Sequence, residues 1–190
     1  DDDDIAPLAA TAEAIHAHGS LAGIELWHGG FHASNRMTRV PGIGPQVQPS
    51  MFHLPATSRA MDLSDIRAFR GWQRDAAKRA KQAGFDIVYV YAGHDYLPFQ
   101  FLSRRTNTRG DAYGGTLENR VRLLREMLED TREAVLEARR AGLLPFCITI
   151  DQQGGDYLPY MFGANGYTLI RQPQQLPLRL PQLYRQLTQS

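Results

Sequence analysis

Apolar residues recur along the chain at two spacings. From Ile5 to His18, residues Ile5, Leu8, Ala9, Ala12 and Ile15 follow helical periodicity, and Gly19 stands where a helix commonly ends in a left-handed residue. Leu21 to Trp27 is a short apolar run bounded by glycines, which predicts a buried strand running into the loop His28-Gly29-Gly30. Residues 28–61 are rich in Gly, Pro and Ser. A loop of that length inside a compact domain is usually functional, and it reads as a lid or a wall. Ser64 offers an N-cap to a second helix carrying Ile66, Phe69, Ala76, Ala77, Ala80 and Ala83, and Gly84 closes it before the strand Phe85 to Tyr91. After a further loop, Ala92 to Gly115, Thr116 caps a long helix with Leu117, Val121, Leu124, Leu128 and Val135, which ends near Gly142. Phe146 to Ile150 predicts a third strand.

Helix and strand thus alternate, the order of parallel βαβ units in which each helix supplies the crossover between neighbouring strands. An open doubly wound sheet and a (β/α)₈ barrel share this order. The loops favour the barrel, because both long, polar-rich loops follow strands, on the face where barrels build their sites. A complete barrel takes about 250 residues. The 190 residues here therefore predict an α/β chain forming a partial (β/α)₈ TIM barrel of roughly three βα units. Residues 1–152 make up this part. Residues 153–190 are expected to form an irregular tail, rich in Gln, Leu and Pro toward its end, whose prolines break helix and strand alike.

Composition narrows the function. A hydrophobic content of 43% is enough for a real core. A formal charge of +1 gives no electrostatic reason to expect nucleic acid or an anionic membrane as partner. The single cysteine, Cys147, is read as core packing and fits a reducing, cytoplasmic setting. No apolar run is long enough to span a bilayer, and Asp1 to Asp4 is acidic where a secretory leader is basic.

The sharpest chemistry is Tyr91-Ala92-Gly93-His94-Asp95-Tyr96 at the end of the second strand. Two phenols and an imidazole in six residues can bind an electronegative substrate or exchange protons with it; equally, strand-end tyrosines can simply pack with their hydroxyls in water. Glu25-Leu26-Trp27-His28 places a carboxylate on a predicted buried strand, which implies either a ligand or cation, or a structural ion pair. In residues 101–122, Arg109 with Asp111 and Asn119 with Arg120 read mainly as braces of a loop and a helix start. There is no GxxxxGK[ST], GxGxxG or HExxH, and His28 and His32 straddle glycines without further ligands nearby, so no metal site is predicted.

The segments HAHGSLAGIELWHGG, MDLSDI, DAAKRAKQAGFDIVYVYAGHDYLPFQFLS and NTRGDAYGGTLENRVR resemble the old yellow enzyme family of FMN barrels, above all its trimethylamine, dimethylamine and histamine dehydrogenase branch. They cover about three quarters of the chain in the family's order. The resemblance implies FMN at the barrel mouth, with Glu25 where most relatives use Gln against the flavin pyrimidine edge, and with His28 beside it. It implies Tyr91 and His94 as the substrate-side pair in place of the reductases' His-x-x-His or His-x-x-Asn, and Tyr96 as the match to their proton-donating tyrosine. Departures accompany it. Phe146 to Ile150 lacks the arginine expected near the flavin, Arg104 replaces a common Pro, and the late phosphate-binding strands, the iron-sulfur cysteines and the nucleotide-binding region of the amine branch are absent.

The function expected is therefore that of a fragment of an FMN-dependent amine dehydrogenase acting on a small molecule. An NAD(P)H-dependent ene-reductase is the rival within the family, and a noncatalytic truncated chain the rival outside it. Open barrel edges invite association, so a homo-oligomer is expected as a partner state.

Overall fold

The computed structural model describes residues 1–33, 38–50, 56–139, 147–149, 167–169 and 182. Helix α1 (Ile5–His16) is followed by a turn to Gly19, which takes the left-handed conformation its position suggests (φ +72°). Its apolar stripe closes one small core, in which Ala12, Ala22, Ala83 and Phe85 are buried and Ile5, Leu8, Ala9, Ile15 and Ile24 pack around them. Asp86 ties this end together, accepting from Ala22 N at 2.8 Å and meeting His16 Nε2 at 2.7 Å.

Strand β1 (Gly23–Leu26) leads into the long loop, which is a wall where it is described. It contains a short parallel ladder of β2 (Ile43–Gly44) with β3 (Arg59–Ala60), and Ile43 and Met61 on it are core residues. Helix α2 (Leu63–Gln82) then crosses over to β4 (Ile87–Val90), and β1 pairs with β4 in parallel, Gly23 opposite Ile87 through Leu26 opposite Val90. The expected βαβ unit is present. Its cap differs: Asp62, not Ser64, starts α2. The Asp62 carboxylate accepts from Ser64 N (2.7 Å) and Asp65 N (2.8 Å), Asp65 bonds back to Asp62 N (2.9 Å), and the Ser64 hydroxyl is spent on Asp62 (2.5 Å). Arg59 on β3 grips Asp65 and holds its carboxyl down to about 2.

Beyond β4, helix α3 (Leu97–Leu102) and helix α4 (Leu117–Arg139) complete the main core. Thr116 caps α4 as expected, accepting from Asn119 N at 3.2 Å. Ile66, Phe69, Leu97, Phe101, Leu123 and Met127 pack with Ile43 and Met61 between α2, α3 and α4. Over this contact Arg70 reaches Asp130 (2.7 and 2.9 Å) and Glu126 (3.1 Å).

The third expected strand is β5 (Cys147–Thr149), and it pairs in parallel with β6 (Tyr167–Leu169). The tail expected to be irregular from residue 153 thus contains a strand, since Tyr167-Thr168-Leu169 is β-prone and lies before the proline-rich end. The rest of that tail, apart from Gln182, and the side chain of Cys147 lie outside the described residues. No helix among the described residues is long and apolar enough to cross a membrane.

Candidate active site

In a parallel pair, facing residues point to the same side and successive residues alternate. Glu25 and Tyr89, which face each other, therefore share one side of the β1–β4 ribbon, and Ile24, Leu26, Val88 and Val90 turn the other way, toward the helices. The first side is open: Glu25 is exposed, and Trp27 and Tyr89 are 55% and 39% exposed. This corrects the expectation of a buried Glu25. Parallel strands usually have both faces covered, but no described element lies over this one, so the Glu25 carboxylate sits in solvent and requires no ion pair.

At the end of the same ribbon the ring side chains gather. The Tyr91 backbone continues the ladder by donating to Leu26 O at 3.2 Å. The Tyr91 hydroxyl and His94 Nδ1 are hydrogen-bonded, with their rings 5.6 Å apart and 23° from parallel. Tyr96 lies 5.9 Å from Tyr91, 6.4 Å from His94 and 4.7 Å from Trp27 between ring centres. Gly93 leaves room for this, since a β-carbon there would stand 3.2 Å from the Tyr91 hydroxyl. Tyr91, His94 and Tyr96 are thus brought together as the sequence suggested, with Trp27 as a fourth ring that it did not single out.

His28 is placed elsewhere. Its ring lies on the helix side of β1, 5.4 Å edge-on to Phe69 and 6.5 Å from Trp72, and its Nδ1 accepts from Gly30 N at 3.0 Å. Burial there lowers its pKa, so the imidazole is neutral near pH 7. Glu25 and His28 do meet along the edge of β1, where with Trp27, Phe69, Trp72 and Gln73 they line a cleft of about 260 Å³.

The loop between α3 and α4 is the brace expected from Arg109 and Asp111. The Arg109 guanidinium bonds the Asp111 carboxylate and the carbonyls of Met61 and Pro45, and lies 5.8 Å over the Phe101 ring. Asn107 Nδ2 donates to Phe101 O and Tyr113 O, both at 2.7 Å. Sequence reasoning passed over Gln100, gave Asp95 no role of its own, and weighed His32 only as a metal ligand. The only signal for Gln100 was a polar residue inside the apolar run Leu97-Pro98-Phe99-Gln100-Phe101-Leu102.

A family model described as NADH:flavin oxidoreductase / NADH oxidase matches residues 1–144. Dimethylamine dehydrogenase of Hyphomicrobium sp. (strain x) is 39% identical over 141 residues, 71% of this chain and 19% of that protein. NADPH dehydrogenase of Halalkalibacterium halodurans is 44% identical over 131 residues, 68% of this chain and 37% of that protein. Among solved structures, 6-hydroxypseudooxynicotine amine oxidase from Pseudomonas geniculata N1 superposes with a TM-score of 0.70 at 46% identity, over 72% of this chain and 21% of its own. This chain therefore spans well under half the length of these relatives, and the structures it superposes on are TIM-barrel oxidoreductases.

Proposed function

The chain belongs to the NADH:flavin oxidoreductase / NADH oxidase family, and from that premise we propose that it is part of an FMN-dependent enzyme that oxidises a small amine at the open face of the β1–β4 ribbon. The observation that carries this reading is the hydrogen-bonded Tyr91–His94 pair standing beside the ring faces of Tyr96 and Trp27. The residues suit a flavin. An exposed carboxylate, Glu25, can accept from ring N–H groups, and exposed aromatic faces on the same side of the ribbon suit a flat heterocycle. When bound, FMN supplies the two-electron oxidising capacity that the side chains lack.

The protein's own part is binding and proton management. A carbon next to nitrogen gives up hydride more readily from a neutral amine than from an ammonium, so the substrate must lose a proton before it reacts. Tyr91 and His94 share a hydrogen bond at their phenol oxygen and imidazole nitrogen, so the phenol oxygen can take that proton while passing its own to the imidazole, and the pair can then hold the neutral nitrogen. The rings of Tyr91, Tyr96 and Trp27 favour an alkylammonium on arrival through their π faces.

The 44% identity to an NADPH dehydrogenase supports a second reading, reduction of an electron-poor double bond at the expense of a nicotinamide, with Tyr96 as proton donor. The test begins with fluorescence titration of FMN into the purified chain. Stoichiometric binding followed by bleaching of the flavin band with dimethylamine supports the amine reading. Bleaching by NADPH alone, reversed by an enone, supports the second. No saturable binding defeats both for the chain by itself. Tyr91→Phe is expected to slow amine-driven bleaching at least about tenfold with little change in flavin affinity, and equal loss of both removes the pair from the substrate side.

A further inference from the structure

Gln100 is completely buried in the middle of α3, and every bonding group of its amide is used. Its Oε1 accepts from Phe31 N at 3.2 Å, and its Nε2 donates to Gly29 O at 3.2 Å and to Asp95 O at 2.6 Å. Gly29 and Phe31 belong to the loop after β1, and Asp95 to the loop after β4, so one side chain ties both strand-end loops from behind. Gly30 packs directly on the amide with φ +61°, and a β-carbon there would run into it. Two lesser ties run alongside: His32 Nε2 meets Asp95 Oδ2 at 3.2 Å, and Leu97 N donates to His28 O at 2.9 Å.

The reason for so dense a tie lies one residue away. His94 and Asp95 are consecutive non-glycine residues in the left-handed region, with φ of +49° and +57°. Residues with a β-carbon adopt that backbone conformation infrequently, His and Asp more readily than most, and two in succession are favoured where the surroundings hold them there. The His94 ring is exposed, and its hydrogen bond to the Tyr91 hydroxyl stays within its own loop, so it makes no tie to the loop after β1. The constraint acts on the backbone, through the carbonyl of Asp95 and the turn bond from Tyr96 N to Gly93 O at 3.0 Å.

We propose that Gln100 is a positioning residue for the Tyr91–His94 pair: by bonding Asp95 O, Gly29 O and Phe31 N it holds His94 in the left-handed conformation that brings its imidazole to the Tyr91 hydroxyl. The inference rests on the proposed function only for the pair's importance, and the geometry stands without it.

The experiment is a double-mutant cycle on the full chain, read by the ¹⁵N chemical shifts of the His94 ring. Tyr91→Phe is expected to move the Nδ1 signal toward that of an unbonded imidazole. In a Gln100→Met background, which keeps the volume and removes the bonding groups, that response is expected to fall by at least half. Gln100→Glu keeps an acceptor for Phe31 N but loses the amide donors to Gly29 O and Asp95 O; it is expected to give the same loss and serves if the Met variant fails to fold. An undiminished response to Tyr91→Phe in a folded Gln100 variant overturns the proposal, because a merely structural role would lower the melting temperature without uncoupling the pair. No response in the unmutated background overturns it as well. Flavin and amine are not used in this cycle, so failure of the chain to bind FMN would defeat the proposed function without bearing on this result.

Discussion

Arg109→Ala is expected to destabilise the chain by about 3.5–4 kcal/mol, the sum of losses that can be assigned one by one. The Arg109 side chain is only 10% exposed, and its Nη1 serves the carbonyls of both Met61 and Pro45. Met61 is a core residue on the wall and Pro45 is fully buried, so no water replaces the donor easily. A hydrogen bond from a charged donor contributes about 1.5 kcal/mol at the lower end, or about 3 kcal/mol for two. The Asp111 pair adds less. Asp111 is 36% exposed and keeps a bond from Tyr113 N at 3.0 Å, so solvent screening leaves about 0.5–1 kcal/mol for its ion pair. Arg109→Lys retains the charge without the planar fork and is expected to lose roughly half as much. Urea denaturation followed by circular dichroism reads these differences as shifts in midpoint at constant slope. A loss below about 1 kcal/mol for the alanine variant would refute the assignment and would mean that the two carbonyls find other donors.

Three further outcomes follow from the same geometry. Gly30→Ala places a β-carbon at φ +61° against the Gln100 amide, and is expected to cost more than about 2 kcal/mol by the same denaturation assay; a neutral result would mean that the amide is free to move. His28 has a folded pKa below its ordinary value of about 6.5 because burial disfavours the imidazolium, so the unfolded state binds its proton first and stability falls as pH drops below that value. His28→Phe should flatten the melting temperature between pH 7 and the His28 folded pKa, and an unchanged slope would assign it to other groups. Leu123→Ala empties a fully buried position between α2 and α4 and should cost about 2–5 kcal/mol, measured as a loss of melting temperature.

What was legible in the sequence was local. The strand Ile87–Val90 and the crossover helix before it announce themselves by residue type and spacing, and the Tyr91–His94–Tyr96 cluster is only six residues long. Asp62 and Ser64 are both good caps two residues apart, and composition does not say which backbone N–H groups each can reach. Glu25 was read as buried because an apolar run suggests a strand covered on both faces; that its own side is open depends on which elements lie over it. Gln100 was missed for a different reason. Its partners Gly29 and Phe31 are 71 and 69 residues away, and only the folded chain shows that a lone amide in an apolar helix closes two loops at once.

The alternation of side chains that runs from β1 on to His28 also gives the molecule's two tryptophans different neighbours. Trp27 stands on the open face against Tyr96, and Trp72 lies on the far side of the ribbon beside His28; both are just over half exposed. These are the chain's two tryptophans and both line the cleft along the edge of β1, so emission excited selectively from tryptophan is the sum of two neighbouring signals. In a Trp72→Phe chain the tryptophan signal comes from Trp27 alone, and a flat molecule stacking at the Tyr91–His94 face is expected to dim it, so that this variant carries its own occupancy gauge without any added dye.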